Sequence, residues 1–270
     1  MPVVEPACCR DKVSAVHVVD GAGRDASDPT VVLLHGSGHT ARVWREVQAA
    51  LRHSSVAVDL PGRADRVAEI ADVALTDAAT SLAADVDATV EGPVVLVGHS
   101  AGGIVLPGLA ARLDGRVMHL VFVAGLCARH GDVVIDTVRP DARPALAARL
   151  REMHEEYAGC MLEPHPSVSG MRALDARTAA PIDSLNYMHQ TVSWDGVATD
   201  VPRTFVRCTR DKIQSRELQD ALIGNCGASA VIDIDTGHTP ALAAPETLAA
   251  IIDDVTARSR AESTRAIIDP

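Results

Sequence analysis

The sequence predicts an α/β fold in which helices flank a mostly parallel sheet. Three observations lead there. Short valine-rich runs alternate with stretches of helical spacing along most of the chain. Several of these runs are apolar at every position, as strands covered on both faces must be. Glycines follow several of them where strand gives way to loop or helix.

Taken in order, "VSAVHVV" (13–19) is the early strand and "DGAGRDASDP" (20–29) a turn-rich connector. "TVVLLHG" (30–36) is a buried strand ending in glycine. A helix is expected over 41–52, a strand in "SVAVDLPG" (55–62), and a helix over 77–90. "PVVLVGHS" follows as a strand. A helix over 101–113 carries Ile104, Leu109 and Leu113 roughly on one side, and "VMHLVFVAG" (117–125) is another buried strand. Between about 127 and 200 the rhythm changes and no buried strand is evident. "PALAARLREMHEEY" (144–157) puts Leu146, Leu150, Met153 and Tyr157 at helical spacing, and residues 183–192 look helical again. The alternation resumes with "RTFVRC" (203–208), a helix near 215–223, "ASAVIDI" (228–234) and a last helix through Leu248, Ile251, Ile252 and Val255. The expected division is a core of 1–126 and 201–270, with frayed ends at 1–12 and 259–270, and a helical cap over 127–200.

Composition narrows the function classes. With 270 residues, 47% of them hydrophobic, the chain suits one domain carrying an insertion, or at most two domains. Aromatics are only 2%, so core and pocket must be built from aliphatic side chains. A formal charge of −11 with no basic run argues against nucleic acid or an anionic membrane as partner. No apolar stretch reaches the ~18 residues of a membrane span. "MPVVEPACCRDK" lacks the layout of a signal peptide. The six cysteines show no CxxC spacing, which favours free thiols in a cytoplasmic setting and gives no support for a metal site. A small-molecule substrate is the expected partner, with no cofactor.

The chemistry centres on Gly98-His99-Ser100-Ala101-Gly102. This is G-x-S-x-G between a predicted strand and a predicted helix, the context that motif requires. A serine at so sharp a turn takes a strained backbone, and side chains two residues before and after it would collide; glycine removes them. The competing interpretation is a phosphate-cradling turn, but "GHSAGG" lacks the G-x-G-x-x-G order. Serine needs a base. His238 lies just past the last predicted strand, at the sheet edge that Ser100 occupies. The base needs a carboxylate to hold its tautomer. Asp211 follows another predicted strand and completes the order Ser100, Asp211, His238; Asp132 is the rival acid. Donors to an oxyanion are assigned to the backbone N–H groups of Ala101 and of Ser37, in the loop His35-Gly36-Ser37-Gly38.

The stretches "LLHGSGHTARVW" (33–44), "DLPG" (59–62), "GHSAGG" (98–103), "CTRDK" (208–212) and "DTGHTPALAAPETL" (235–248) together resemble the α/β-hydrolase fold superfamily. The resemblance implies about eight strands, a helical cap after the sixth, a Ser100–His238–Asp211 triad, and an oxyanion hole at Ser37 and Ala101. "HGSGHTARVW" looks like the branch of plant-type methyl esterases and hydroxynitrile lyases. His39 and Trp44 then either line the site or pack the first helix. The lyases of that branch carry Lys after the histidine; Thr239 stands here, which argues against cyanohydrin chemistry. The expected activity is a serine hydrolase cleaving an ester, thioester or lactone of a small apolar metabolite. A lyase using His238 as base, or a non-catalytic binding protein, are the alternatives. Pocket candidates are His35, Gly36, His39, Leu126, Tyr157, Tyr187, Trp194 and Thr239. Met153 and Met188 are further candidates, and most of those from Leu126 to Trp194 serve equally as cap core. Cys127 and Cys208 are expected near strand ends, either bordering the site or as small buried hydrophobes.

Overall fold

Valine and its β-branched relatives stiffen the chain into extended conformations. The runs read as strands are strands in the computed structural model, which describes residues 16–21, 28–61, 73–137, 144, 187 and 189–268, with side chains up to 262 in the last helix. The described sheet has seven strands: β1 (Val16–Val19), β2 (Thr30–Leu34), β3 (Ser55–Val58), β4 (Val94–His99), β5 (Val117–Val123), β6 (Arg203–Cys208) and β7 (Ala230–Ile234). They lie in the order β1-β3-β2-β4-β5-β6-β7. Only β1 is antiparallel, pairing with β3; every other neighbouring pair is parallel. The carboxyl ends of β2 to β7 therefore share one rim.

Side-chain alternation divides the core. Val32, Leu34, Leu96, Leu120, Phe122 and Phe205 face a layer with Leu82, Val86, Leu106 and Leu109. Their odd-numbered neighbours Val31, Leu33, Val97, Val121 and Val123 face Trp44, Val47, Leu248, Ile252 and Val255. The first layer contains helices α2 (Leu75–Thr89), α3 (Gly102–Ala110) and α4 (Arg216–Cys226). The second contains α1 (Arg45–Ala50), the short α5 (Pro240–Ala243) and α6 (Pro245–Ile268).

Departures from expectation lie at element ends. The helix expected over 41–52 is a 3-10 turn (Ala41–Trp44) followed by α1; the buried Asp59 carboxylate accepts from Ala41 N–H at 2.6 Å and fixes that entry. The helix expected to reach 113 stops at Ala110, where the bonding tightens to Arg112 N–H on Leu109 O and Leu113 N–H on Ala110 O ahead of positive φ at Asp114 and Gly115. The tail expected to fray from 259 instead continues α6 to Ile268. Ser259 explains it: its side chain is buried, donates to Val255 O at 2.9 Å and accepts from His119 Nδ1 at 2.8 Å.

Most of the expected cap, including Met153, Tyr157 and Met188, lies outside the described residues. Its two ends are described, and they meet. Val133 bridges Thr191 in antiparallel pairing, with Gly131 N–H to Val192 O at 3.0 Å and Val192 N–H to Asp132 O at 2.9 Å. The segment thus leaves and rejoins the core at one place, beside the carboxyl rim.

Candidate active site

Three loops at the rim bring the site together. The first leaves β4. Ser100 has φ +48°, the left-handed region that side chains other than glycine rarely adopt. The strain is held by neighbours on both sides: Ser100 N–H donates to Val123 O at 3.1 Å, and Ser100 O accepts from Gly103 N–H at 3.0 Å and Leu126 N–H at 2.8 Å. The turn leaves no room for larger residues. A Cβ on Gly102 would stand 2.6 Å from His35 O, and one on Gly98 2.9 Å from the backbone of Gly102.

The second loop leaves β6. Asp211 Oδ1 accepts from Ile213 N–H at 2.8 Å and Gln214 N–H at 2.9 Å, which leaves Oδ2 aimed at His238. The third leaves β7. His238 Nδ1 is 2.6 Å from Asp211 Oδ2, and His238 Nε2 is 2.9 Å from Ser100 Oγ. A carboxylate only accepts, so the proton of neutral His238 sits on Nδ1 and Nε2 presents a lone pair to the hydroxyl. The Asp211 side chain is 1% exposed and that of His238 12%. Burial alone would push the Asp211 carboxyl up. Its bond to His238, the charge of that ring and the two backbone donors outweigh burial and hold it below the ordinary value. Asp132, the rival, is exposed at the edge of the inserted segment, and Asp235 pairs with Thr209 and Arg210.

The loop after β2 packs directly on this turn. A Cβ on Gly36 would lie 2.8 Å from Ser100 Cβ, so only glycine lets the backbone before Ser37 come so close. Ala101 is the N-cap of α3, at the end of a helix where backbone N–H groups lack intrahelical acceptors. An apolar cluster of Ala101, Ile104, Leu126, Val134, Val192 and Trp194 adjoins the nucleophile turn.

Several pocket candidates turn out to be framework. His35 is wholly buried; its Nδ1–H donates to Gly36 O at 2.9 Å and its Nε2 accepts from Leu60 N–H at 3.2 Å, so it braces the loop from below. Tyr187 is packed in the first core layer, and Trp44 is fully buried in the second. His39 is buried with its ring 6.0 Å from that of His99. Trp194 is tied down by Nε1–H to Ala128 O at 3.0 Å, with the Arg203 guanidinium 4.1 Å from its ring. Thr239 follows His238 and caps α5 with its carbonyl. Cys127 and Cys208 are buried, and burial pushes both thiols up, that of Cys208 to about 12, as expected of inert core residues.

Two contributors escaped sequence analysis. Buried Gln219 accepts from Cys208 N–H at 3.0 Å and donates to Cys208 O at 2.9 Å and Gln214 O at 3.2 Å, bracketing the loop that carries Asp211. A glutamine on a helix 11 residues further along carries no sequence signal for that role. His99, the variable position of the motif, reaches the loop of His238, with its Nε2 2.8 Å from the His238 carbonyl.

The model of the alpha/beta hydrolase family matches residues 31–251. The chain belongs to the alpha/beta hydrolase family. Among this hydrolase's relatives, lipase LipV of Mycobacterium tuberculosis is 28% identical over 82% of the chain and 91% of its own length. Methylesterase 3 of Arabidopsis thaliana is 25% identical over 83% and 95%. The carbendazim hydrolyzing esterase of a Nocardioides species is 30% identical over 125 residues, and there the chain spans about half (51%) of the relative's length. In structure, the pyrethroid hydrolase from Sphingobium faniae superposes with TM-score 0.67 at 22% identity, over 84% of this chain and 97% of that one, which establishes the fold. The hydrolase is an enzyme of esterase type, with relatives in the methylesterase-like branch. Among the described residues, no helix is long and apolar enough to cross a membrane.

Proposed function

We propose that the protein is a serine esterase that cleaves an ester, thioester or lactone of a small apolar metabolite through an acyl-enzyme. The observation that carries this proposal is the unbroken hydrogen-bond relay from Ser100 Oγ through His238 to Asp211, at 2.9 and 2.6 Å. His238 Nε2 takes the Ser100 proton as Oγ bonds to the substrate carbonyl carbon. The resulting imidazolium faces a carboxylate already ionised and shielded from water, so its charge is compensated where it forms. The developing oxyanion is met by the Ala101 and Ser37 N–H groups. His238 returns its proton to the departing alcohol or thiol. A water, deprotonated in turn by His238, then attacks the acyl carbon and releases the acid and Ser100. The buried aliphatic packing beside the turn gives the surroundings of Ser100 an apolar character, in keeping with an aliphatic acyl or alcohol part. Relatives named as esterases, a methylesterase and a lipase accord with a carbonyl ester as substrate.

The Ser100→Ala variant tests this proposal. It is expected to lose covalent labelling by a fluorophosphonate and to hydrolyse a short p-nitrophenyl ester about 10⁴-fold more slowly or worse. Hydrolysis in ¹⁸O-water should place one label in the acid. Labelling or turnover that survives in the variant removes the nucleophile role, and unlabelled product indicates elimination instead.

A further inference from the structure

His99 sits between the nucleophile turn and the base loop. Its ring is 1% exposed. Its Nε2 is 2.8 Å from the backbone carbonyl of His238, 139 residues away along the chain. The two imidazole centroids are 5.1 Å apart. A carbonyl only accepts, so Nε2 carries the proton. Nδ1 is then a bare lone pair, buried and with no hydrogen-bond partner among the described residues. It faces the space that Gly36 leaves open, since a Cβ there would stand 2.9 Å from it. Burial, then the neighbouring His238 and His39 rings, hold the ring's pKa well below the ordinary histidine value, in keeping with a neutral donor.

The position of this bond gives it its effect. His99 is the last residue of β4 and Ser100 follows it directly, so the same strand end sets both. The His238 ring is fixed at Nδ1 by Asp211, and the backbone around it is tied to the β6 loop by Arg210 N–H to Thr236 O at 2.9 Å. Neither contact refers the base to the nucleophile. The bond from His99 does: it ties the main chain of His238 to the residue next to Ser100.

We infer that His99 is a positioning residue for the hydrolytic reaction, acting through its Nε2–H bond to the His238 carbonyl to set the separation between Ser100 Oγ and His238 Nε2. The inference rests on the proposed roles of Ser100 and His238. Glutamine can place an amide N–H where Nε2–H now stands, whereas phenylalanine keeps the ring's bulk and removes the donor. With a short p-nitrophenyl ester, His99→Phe should lower kcat about 10- to 100-fold with KM little changed, the size of effect expected when a reacting group is displaced by about an ångström. His99→Gln should recover most of that loss. Equal losses in the two variants, an unchanged kcat in His99→Phe, or a rise in KM with kcat kept would each overturn the inference.

A second measurement does not depend on any variant folding. Nitrogen-15 NMR of histidine-labelled wild-type protein at neutral pH should show residue 99 as the neutral Nε2–H tautomer. A cationic ring or the Nδ1–H tautomer would overturn the inference. Ser100→Ala, assayed alongside, separates the two levels: activity there refutes the active-site proposal itself, while an inactive Ser100→Ala beside a fully active His99→Phe refutes the positioning role alone.

Discussion

Asp211 shows how much a single residue does here. One oxygen holds two backbone N–H groups of its own loop and the other holds the His238 ring. Asp211→Asn keeps the shape but offers the ring a dipole in place of a charge, and the amide can present its N–H to Nδ1. That favours the tautomer in which Nε2, facing Ser100, carries the proton. The expected result is a fall in kcat of roughly 10³- to 10⁴-fold with the fold unchanged, measured by ester hydrolysis beside a circular dichroism melt. Residues of this kind were legible where the chemistry leaves a local signature. Ser100 announces itself by the glycines its strained turn requires, and His238 and Asp211 by following predicted strands in the right order. His99 and Gln219 were not legible in their roles. Their partners are main-chain atoms, which no residue type reveals, and the chain separation is 139 residues in one case.

At the scale of elements, the junction of β2, β4 and α3 is closely packed around Gly102. A methyl group at Gly102 would meet His35 O at 2.6 Å and Leu34 O at 2.9 Å, both rigid backbone. Gly102→Ala should therefore push α3 away from β2, lose about 1–3 kcal/mol of stability in urea titration, and lower esterase activity by shifting the loop that leads to Ser37. Strands were the most legible elements, because a run such as Val94–His99, buried at every position, fits nothing else in this context. Helix ends were the least legible. α3 gives way to a tightened turn ahead of the positive φ of Asp114 and Gly115, and α6 carries a serine that hydrogen-bonds a histidine from the sheet. The second is a tertiary fact.

For the whole molecule, buried neutral histidines are expected to cost stability in acid. His119 donates from Nδ1 to Ser259 Oγ and accepts at Nε2 from Thr204 Oγ1, each at 2.8 Å. Burial, with Arg258 nearby, lowers its pKa from 6.5 to about 4. The unfolded chain therefore binds a proton that the folded chain refuses between those two values. Stability contributed by the neutral ring is full above about pH 6.5 and is lost as pH falls toward 4, at up to about 1.4 kcal/mol per pH unit. His17 and His99 are shifted in the same direction. Urea midpoints between pH 7 and 4.5 should fall in the wild type and fall less steeply in His119→Gln; parallel slopes would mean that His119 does not take part.

The pairing of Val133 with Thr191 at the two ends of the inserted segment has a consequence for descent. Because the interval departs and returns through one pair of adjacent stems, its length and composition can drift without disturbing any strand register beneath. Insertions and deletions confined between those stems offer a route by which kin sharing about a fifth of their residues differ in outline and still keep one fold.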